Sequence, residues 1–189
     1  MKKIAIFASG SGSNAQRIYE YFKHNDEVQI ELIFCNNSSA GVLDRCKKLN
    51  IKYVVFDKQD LNGSKVIDYL EFYRIDFIVL AGFLLLMPKH IISKYDKKII
   101  NIHPALLPNY GGKGFYGMKV HESVINNKDK ESGITIHYVN DKYDSGDIIF
   151  QAKCQIDETD TAEILAVKIH KLEYENFPVI IERLLNGTV

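Results

Sequence analysis

A chain of 189 residues, 46% hydrophobic and 25% charged, is long enough for one domain with a sizeable core and carries no acidic tail. Its 24 basic residues equal its 24 acidic ones, which excludes whole-molecule electrostatic recruitment of nucleic acid or of an anionic membrane. Cys35, Cys46 and Cys154 are widely spaced and form no Cys-x-x-Cys pair, so they read as free thiols in a reducing compartment rather than a zinc or disulfide framework.

In chain order, Met1-Lys2-Lys3 leads into Ile4–Ala8, an apolar run too short for a signal-peptide core. No apolar stretch reaches the length of a membrane span. A cytoplasmic protein with a single domain over residues 1–189 is expected. Strands are predicted at Lys3–Ala8, Gln29–Cys35, Lys52–Phe56, Phe77–Ala81 and Lys98–His103, because their Ile, Val and Phe content is nearly continuous, as in strands covered on both faces. Helices are predicted between them at Asn14–His24, Ala40–Leu49, Lys65–Tyr73 and Pro88–Tyr95. This alternation specifies an α/β fold with a mostly parallel sheet and helices on both faces. Met118–Asn126 then reads as a helix. Gly133–Asn140 and Asp147–Lys153 read as strands of an antiparallel, hairpin-like extension near the C-terminal third, joined through Asp141–Gly146. Asp160 or Thr161 caps a final helical segment, which Pro178 is expected to kink or split.

Two places carry chemistry. The first strand runs into Ser9-Gly10-Ser11-Gly12-Ser13-Asn14 and then a helix. Glycine backbone approaches a ligand closely, and the free amides of a helix start suit a phosphate. A plain turn capped by Ser13 or Asn14 is the alternative. Gly10, Gly12 and Ala15 also satisfy the permissive dinucleotide fingerprint, but Cys35-Asn36-Asn37-Ser38-Ser39 offers no carboxylate for an NAD ribose; NADP would have to rely on Arg45. The second place is Asn101-Ile102-His103-Pro104 at the end of the fifth strand. Alternation puts Asn101 and His103 on one side of it. A carboxamide can donate to a developing oxyanion, and a neighbouring imidazole can do likewise or move a proton. Asp144 is a candidate carboxylate partner for His103, its other role being that of a turn residue. Spacing alone does not bring the two together.

Several separate motifs occur in one order along nearly the whole chain: Gly10-Ser11-Gly12-Ser13-Asn14, Leu80-Ala81-Gly82-Phe83, Asn101–Pro108, Gly133-Ile134-Thr135-Ile136-His137 and Asp144–Ile149. In these the chain resembles the phosphoribosylglycinamide formyltransferases, of the folate-dependent formyltransferase superfamily with its Rossmann-like fold. The resemblance implies transfer of formyl from 10-formyltetrahydrofolate, a cosubstrate, to the glycinamide amine of N1-(5-phosphoribosyl)glycinamide in de novo purine biosynthesis. It implies Asn101 and His103 as oxyanion groups and Asp144 as the residue that orients or ionises His103 and helps relay the amine proton. It implies Gly12, Ser13 and Asn14 at the ribonucleotide phosphate and Glu173 elsewhere on the ribonucleotide. Folate is implied between Leu84, Leu85, Leu86 and Met87 on one side and Asn101 with Asn140, Asp141, Lys142, Tyr143 and Asp144 on the other. His137 matches the family's strand histidine, in a supporting or a catalytic role. No metal, nucleic acid or membrane is implied, and the chain would be a monomer or homodimer.

Two departures stand out. Relatives commonly read Met-Arg where Leu84-Leu85 stands, which removes a cation for the folate glutamate tail; Lys65 is a candidate substitute. Gly111–Gly117 is longer and richer in glycine than the usual loop, either as a mobile flap or as an extended surface loop. The competing functions are an NADP-dependent oxidoreductase and a non-catalytic ligand-binding domain of the same fold. If Asp144 lies beside His103, its charge is expected to outweigh burial and raise the His103 pKa.

Overall fold

Most of the nearly continuous apolar runs become strands shielded from solvent, with Ile4–Ala8 fully buried, but the Lys52–Phe56 run forms a strand at the sheet edge whose Tyr53 and Val55 are exposed, not one covered on both faces. The computed structural model describes residues 1–188. Seven strands hydrogen-bond in the order β3-β2-β1-β4-β5-β6-β7: β1 Lys2–Ala8, β2 Val28–Cys35, β3 Tyr53–Val55, β4 Phe77–Leu80, β5 Ile99–His103, β6 Glu131–Tyr138 and β7 Ile148–Gln155. β1 pairs in parallel with β2 and β4, and β2 with β3, whereas β6 and β7 are antiparallel. The chain divides into two compact units, Met1–Ile100 and Asn101–Val189.

In the first unit the helices are α1 Ser13–Phe22, α2 Gly41–Leu49, α3 Lys58–Asn62, α4 Lys65–Phe72 and α5 Lys89–Lys94. α1 buries Ala15, Ile18 and Phe22, one apolar stripe at helical spacing, and it packs on β2 and α2. Phe7 stacks on Phe34 with ring centroids 4.6 Å apart and meets Phe56 and Phe83 edge-on. Burial pushes the thiols of Cys35 and Cys46 upward, Cys46 to about 11, so both are inert free cysteines. The helix α3 was not expected. Only Leu61 of it is buried, too little for an apolar period, and a reciprocal capping box between Asp57 and Asp60 holds it instead.

The second unit contains α6 Met118–Asn126, as predicted, and α7 Ala162–Leu185. The hairpin strands lie elsewhere than expected: β6 starts two residues earlier and ends at Tyr138, and β7 runs on to Gln155. A register shift between Ile136 and His137 marks a bulge, after which His137 pairs with Ile148 and the Tyr138 amide donates to the Asp147 carbonyl at 2.9 Å. Thr161, not Asp160, caps α7, accepting from the Ile164 amide. Pro178 does not split α7. Buried Leu165, Ile169, Phe177, Ile180 and Ile181 fasten both halves of a helix that packs on β6, β7 and α6. Among the described residues no helix is long and apolar enough to cross a membrane.

Candidate active site

Strand β5 ends with Asn101 and His103, and the structure brings His137 and Asp144 to them from β6 and the β6–β7 link. His103 is 4% exposed. Its Nε2 lies 2.7 Å from the carbonyl oxygen of Tyr110. A carbonyl can only accept, so Nε2 carries the hydrogen, and in the neutral ring Nδ1 is a bare lone pair. That Nδ1 faces Asp144 Oδ2 at 3.5 Å. His137 is fixed the same way: its Nδ1 donates to the Tyr138 carbonyl at 2.8 Å, which leaves Nε2 to accept from Asn101 Nδ2 at 3.1 Å. The second Asn101 hydrogen reaches toward Asp144 Oδ1 at 3.4 Å. This long contact is the one a better acceptor would displace. Asp144 stands at φ 51°, a left-handed conformation rare for a side-chain-bearing residue, and its Oδ2 accepts from the Gly112 amide at 2.9 Å.

The expectation that Asp144 would raise the His103 pKa is corrected. Burial pulls that pKa down more strongly than the Asp144 carboxylate and the Tyr110 carbonyl push it up. At 3.5 Å the carboxylate is beyond good hydrogen-bonding range, whereas desolvation acts on a ring that is almost wholly enclosed. Burial also acts against ionised Asp144, but there His137, His103 and the Gly112 amide prevail, and the carboxyl lies below its ordinary range. The resting arrangement is a neutral imidazole beside a carboxylate.

Glu173 on α7 is 5% exposed, not a solvated helix carboxylate, and accepts from His170 Nδ1 at 2.9 Å. His170 is raised by that contact. His121 on α6 is buried with no hydrogen-bond partner for Nδ1, and burial lowers its pKa. Sequence reasoning missed His121, His170 and Tyr110. His121 carried a signal, a lone polar residue in the buried stripe with Val120 and Val124. Of the Gly111–Gly117 loop, the first residues touch Asp144 while Lys113–Lys119 are exposed. In the β6–β7 link Asn140 Oδ1 accepts from the Lys142 amide and the Ser145 hydroxyl, so this link is a built turn; Asp141, Lys142 and Tyr143 are exposed.

The remaining candidates belong to the first unit. Gly12 is the N-cap of α1 at φ 74°, with no side-chain cap, so neither Ser13 nor Asn14 plays the capping role of a plain turn. A Cβ on Gly12 would collide with Val42 of α2, so that glycine serves the packing of α1 on α2. Arg45 donates from Nε to the Ser11 carbonyl at 2.7 Å and from its guanidinium to Gln16, so it braces this turn and is not held out for an NADP phosphate. Ser9, also missed, links the turn to the apolar segment. Its hydroxyl donates to Asn36 Oδ1 at 2.6 Å and accepts from the Leu84 amide at 3.0 Å. Leu84 and Leu86 are exposed, Leu85 is half-buried and Met87 is buried. Lys65 is ion-paired with Asp60 at 2.8 Å, so the proposed stand-in for the missing cation already has an anion.

Known proteins bear on this geometry. The formyl transferase family model matches residues 2–181. The chloroplastic phosphoribosylglycinamide formyltransferase of Arabidopsis thaliana is 38% identical over 96% of this chain, which spans 66% of the plant protein's length. The phosphoribosylglycinamide formyltransferase of Bacillus subtilis (strain 168) is 36% identical over 98% of this chain and 95% of its own. The crystal structure of the enzyme of that name from Streptococcus pneumoniae TIGR4 superposes with a TM-score of 0.87 at 33% identity, covering 98% of this chain and 99% of that one. The chain belongs to the formyl transferase family, on the branch of the phosphoribosylglycinamide formyltransferases.

Proposed function

We propose that residues 1–189 serve as one formyltransferase domain that moves the formyl group of 10-formyltetrahydrofolate to the amine of N1-(5-phosphoribosyl)glycinamide in purine biosynthesis. The observation that carries this reading is the meeting of Asn101, His103 and Asp144 at the end of β5, in a chain of this family. A buried, neutral imidazole with one ring nitrogen bare is a competent base.

The substrate amine attacks the formyl carbon and a C–N bond forms. The formyl oxygen becomes an oxyanion, and Asn101 turns its loosely held hydrogen from Asp144 onto it. His103 Nδ1 takes the amine proton, directly or through one water. The resulting imidazolium gains the Asp144 carboxylate as counter-ion and supplies a second donor to the oxyanion. Collapse breaks the bond to folate N10, which leaves with the proton that His103 returns. His137 supports this chemistry by holding Asn101. Glu173 contacts the ribonucleotide. Gly12, Ser13 and Asn14 hold its phosphate at the start of α1, whose N-cap is a glycine that supplies no side-chain cap. The Leu84–Met87 segment and the Asn140–Asp144 turn receive folate. The reaction needs no metal or nucleic acid, and the reading places the chain in the cytoplasm as a monomer or homodimer.

The test is a transfer assay with purified protein and both substrates, following tetrahydrofolate and formylated ribonucleotide. Equal amounts of both products are expected. Hydrolysis of formyl-folate without formylation of the ribonucleotide, or no turnover, would remove the assignment.

A further inference from the structure

His103 spends its Nε2 hydrogen on the carbonyl of Tyr110, so whatever positions that carbonyl decides which ring nitrogen is free for chemistry. Tyr110 stands at φ 54°, a conformation that L side chains adopt reluctantly. Side-chain contacts hold it there. Its phenol donates to Asp129 Oδ2 at 2.7 Å, and its ring meets Phe115 edge-on with centroids 6.2 Å apart. Asp129 is braced in turn, since Asn127 Nδ2 donates to its other oxygen at 2.7 Å. Burial and the Asp129 carboxylate both raise the phenol pKa, so Tyr110 keeps the hydrogen it donates.

We propose that Tyr110, tethered through its phenol to Asp129, is a positioning residue that presents its carbonyl to His103 Nε2 and keeps the ring in the Nε2–H tautomer, with Nδ1 free as the base. The inference rests on the reading of His103 as the group that moves the amine proton. Without the tether the left-handed turn at Tyr110 loses its anchor and the carbonyl leaves Nε2. The ring can then flip or change tautomer, and Nδ1–H would form its bond to Asp144. That form has no lone pair for the amine proton on the reacting side. The other ionisable groups acting on His103 are His137, Glu173 and His121, while the Tyr110 carbonyl lies within hydrogen-bonding distance of Nε2.

The test combines steady-state kinetics with ¹⁵N NMR of the His103 ring in Tyr110→Phe, Asp129→Ala and Asp129→Asn. Wild type is expected to show Nε2 protonated and Nδ1 bare. Tyr110→Phe and Asp129→Ala are each expected to lower kcat about ten-fold or more, the scale of effect for a misplaced catalytic group, and to mix the tautomers. KM for both substrates should move by less than about two-fold. Asp129→Asn keeps an acceptor for the phenol and should return the Nε2–H signal, which general destabilisation would not do. Should Tyr110→Phe fail to fold, Asp129→Ala reads the same tether. Retention of the Nε2–H tautomer in both tether-breaking variants overturns the proposal, whether or not kcat falls. His103→Ala, run alongside, separates this outcome from failure of the functional reading: undiminished formyl transfer there would sink the role of His103 itself.

Discussion

Glu31 in the first unit and Asp144 in the second are both largely shielded carboxylates, and both are held below their ordinary pKa range against the opposing effect of burial. Their partners differ. Glu31, on β2, is met by the ammonium groups of Lys52 at 2.8 Å and Lys3 at 3.4 Å. Asp144 is met by two imidazoles, those of His103 and His137, and by a backbone amide, and none of these is a fixed cation. The first arrangement fixes a charge on a buried strand. The second keeps a charge beside His103, the group proposed to take and return a proton, and that is what proton transfer requires.

The comparison is broken most severely by removing the reacting groups. Asn101→Ala, His103→Ala and Asp144→Asn are each expected to cost on the order of 10²–10⁴ in kcat in proteins that remain folded. Combined variants should lose far less than the product of the single losses, since all three groups act on one transition state. Steady-state kinetics with circular dichroism checks both points, and a multiplicative double variant would show that the groups act separately.

Gly12→Val comes next. It sets a β-branched side chain at positive φ and drives it into Val42, at a stability cost of roughly 1–3 kcal/mol. Ribonucleotide affinity should fall sharply and folate affinity little. Calorimetry reads both, and an equal fall in the two would mean that the turn serves the fold alone. The smallest effect belongs to Glu31→Gln. It should lower stability by about 1 kcal/mol, because its lysines are exposed enough to be rehydrated, and leave kcat untouched. A kcat loss in Glu31→Gln comparable with that of Asp144→Asn would erase the distinction between the two acids.

Much of this was legible in the sequence. The strands of the first unit could be read because their apolar runs are continuous and bounded by turn residues, and α6 because its stripe is regular. The pairing of Asn101 with His103 followed from strand alternation. Their meeting with Asp144 did not, since a residue 41 positions further along the chain is placed by the β6–β7 pairing and by a left-handed turn at a non-glycine residue. Tyr110, Ser9 and Arg45 were illegible for a related reason. They act through hydrogen bonds that include main-chain atoms, and these leave no pattern in side-chain type. The sign of the His103 shift was misjudged because spacing reveals a possible partner but not how completely a ring is enclosed.

The pH dependence of single-turnover formyl transfer, in wild type and Asp144→Asn, tests the central claim most directly. In the folded protein His103 sits below the ordinary imidazole value of about 6.5, so the neutral ring is the favoured form. Stability from this residue is therefore lost as pH falls from about 6.5 through the folded value, and the base itself is lost only around that lower folded value. The acid limb of the wild-type rate should lie below pH 6.5. In Asp144→Asn the rate should drop at every pH, and the limb should move lower still, because the carboxylate that raised the pKa is gone. An acid limb above 6.5, or one that stays in place when Asp144 becomes Asn, would contradict the account of a neutral His103 working beside a charged Asp144.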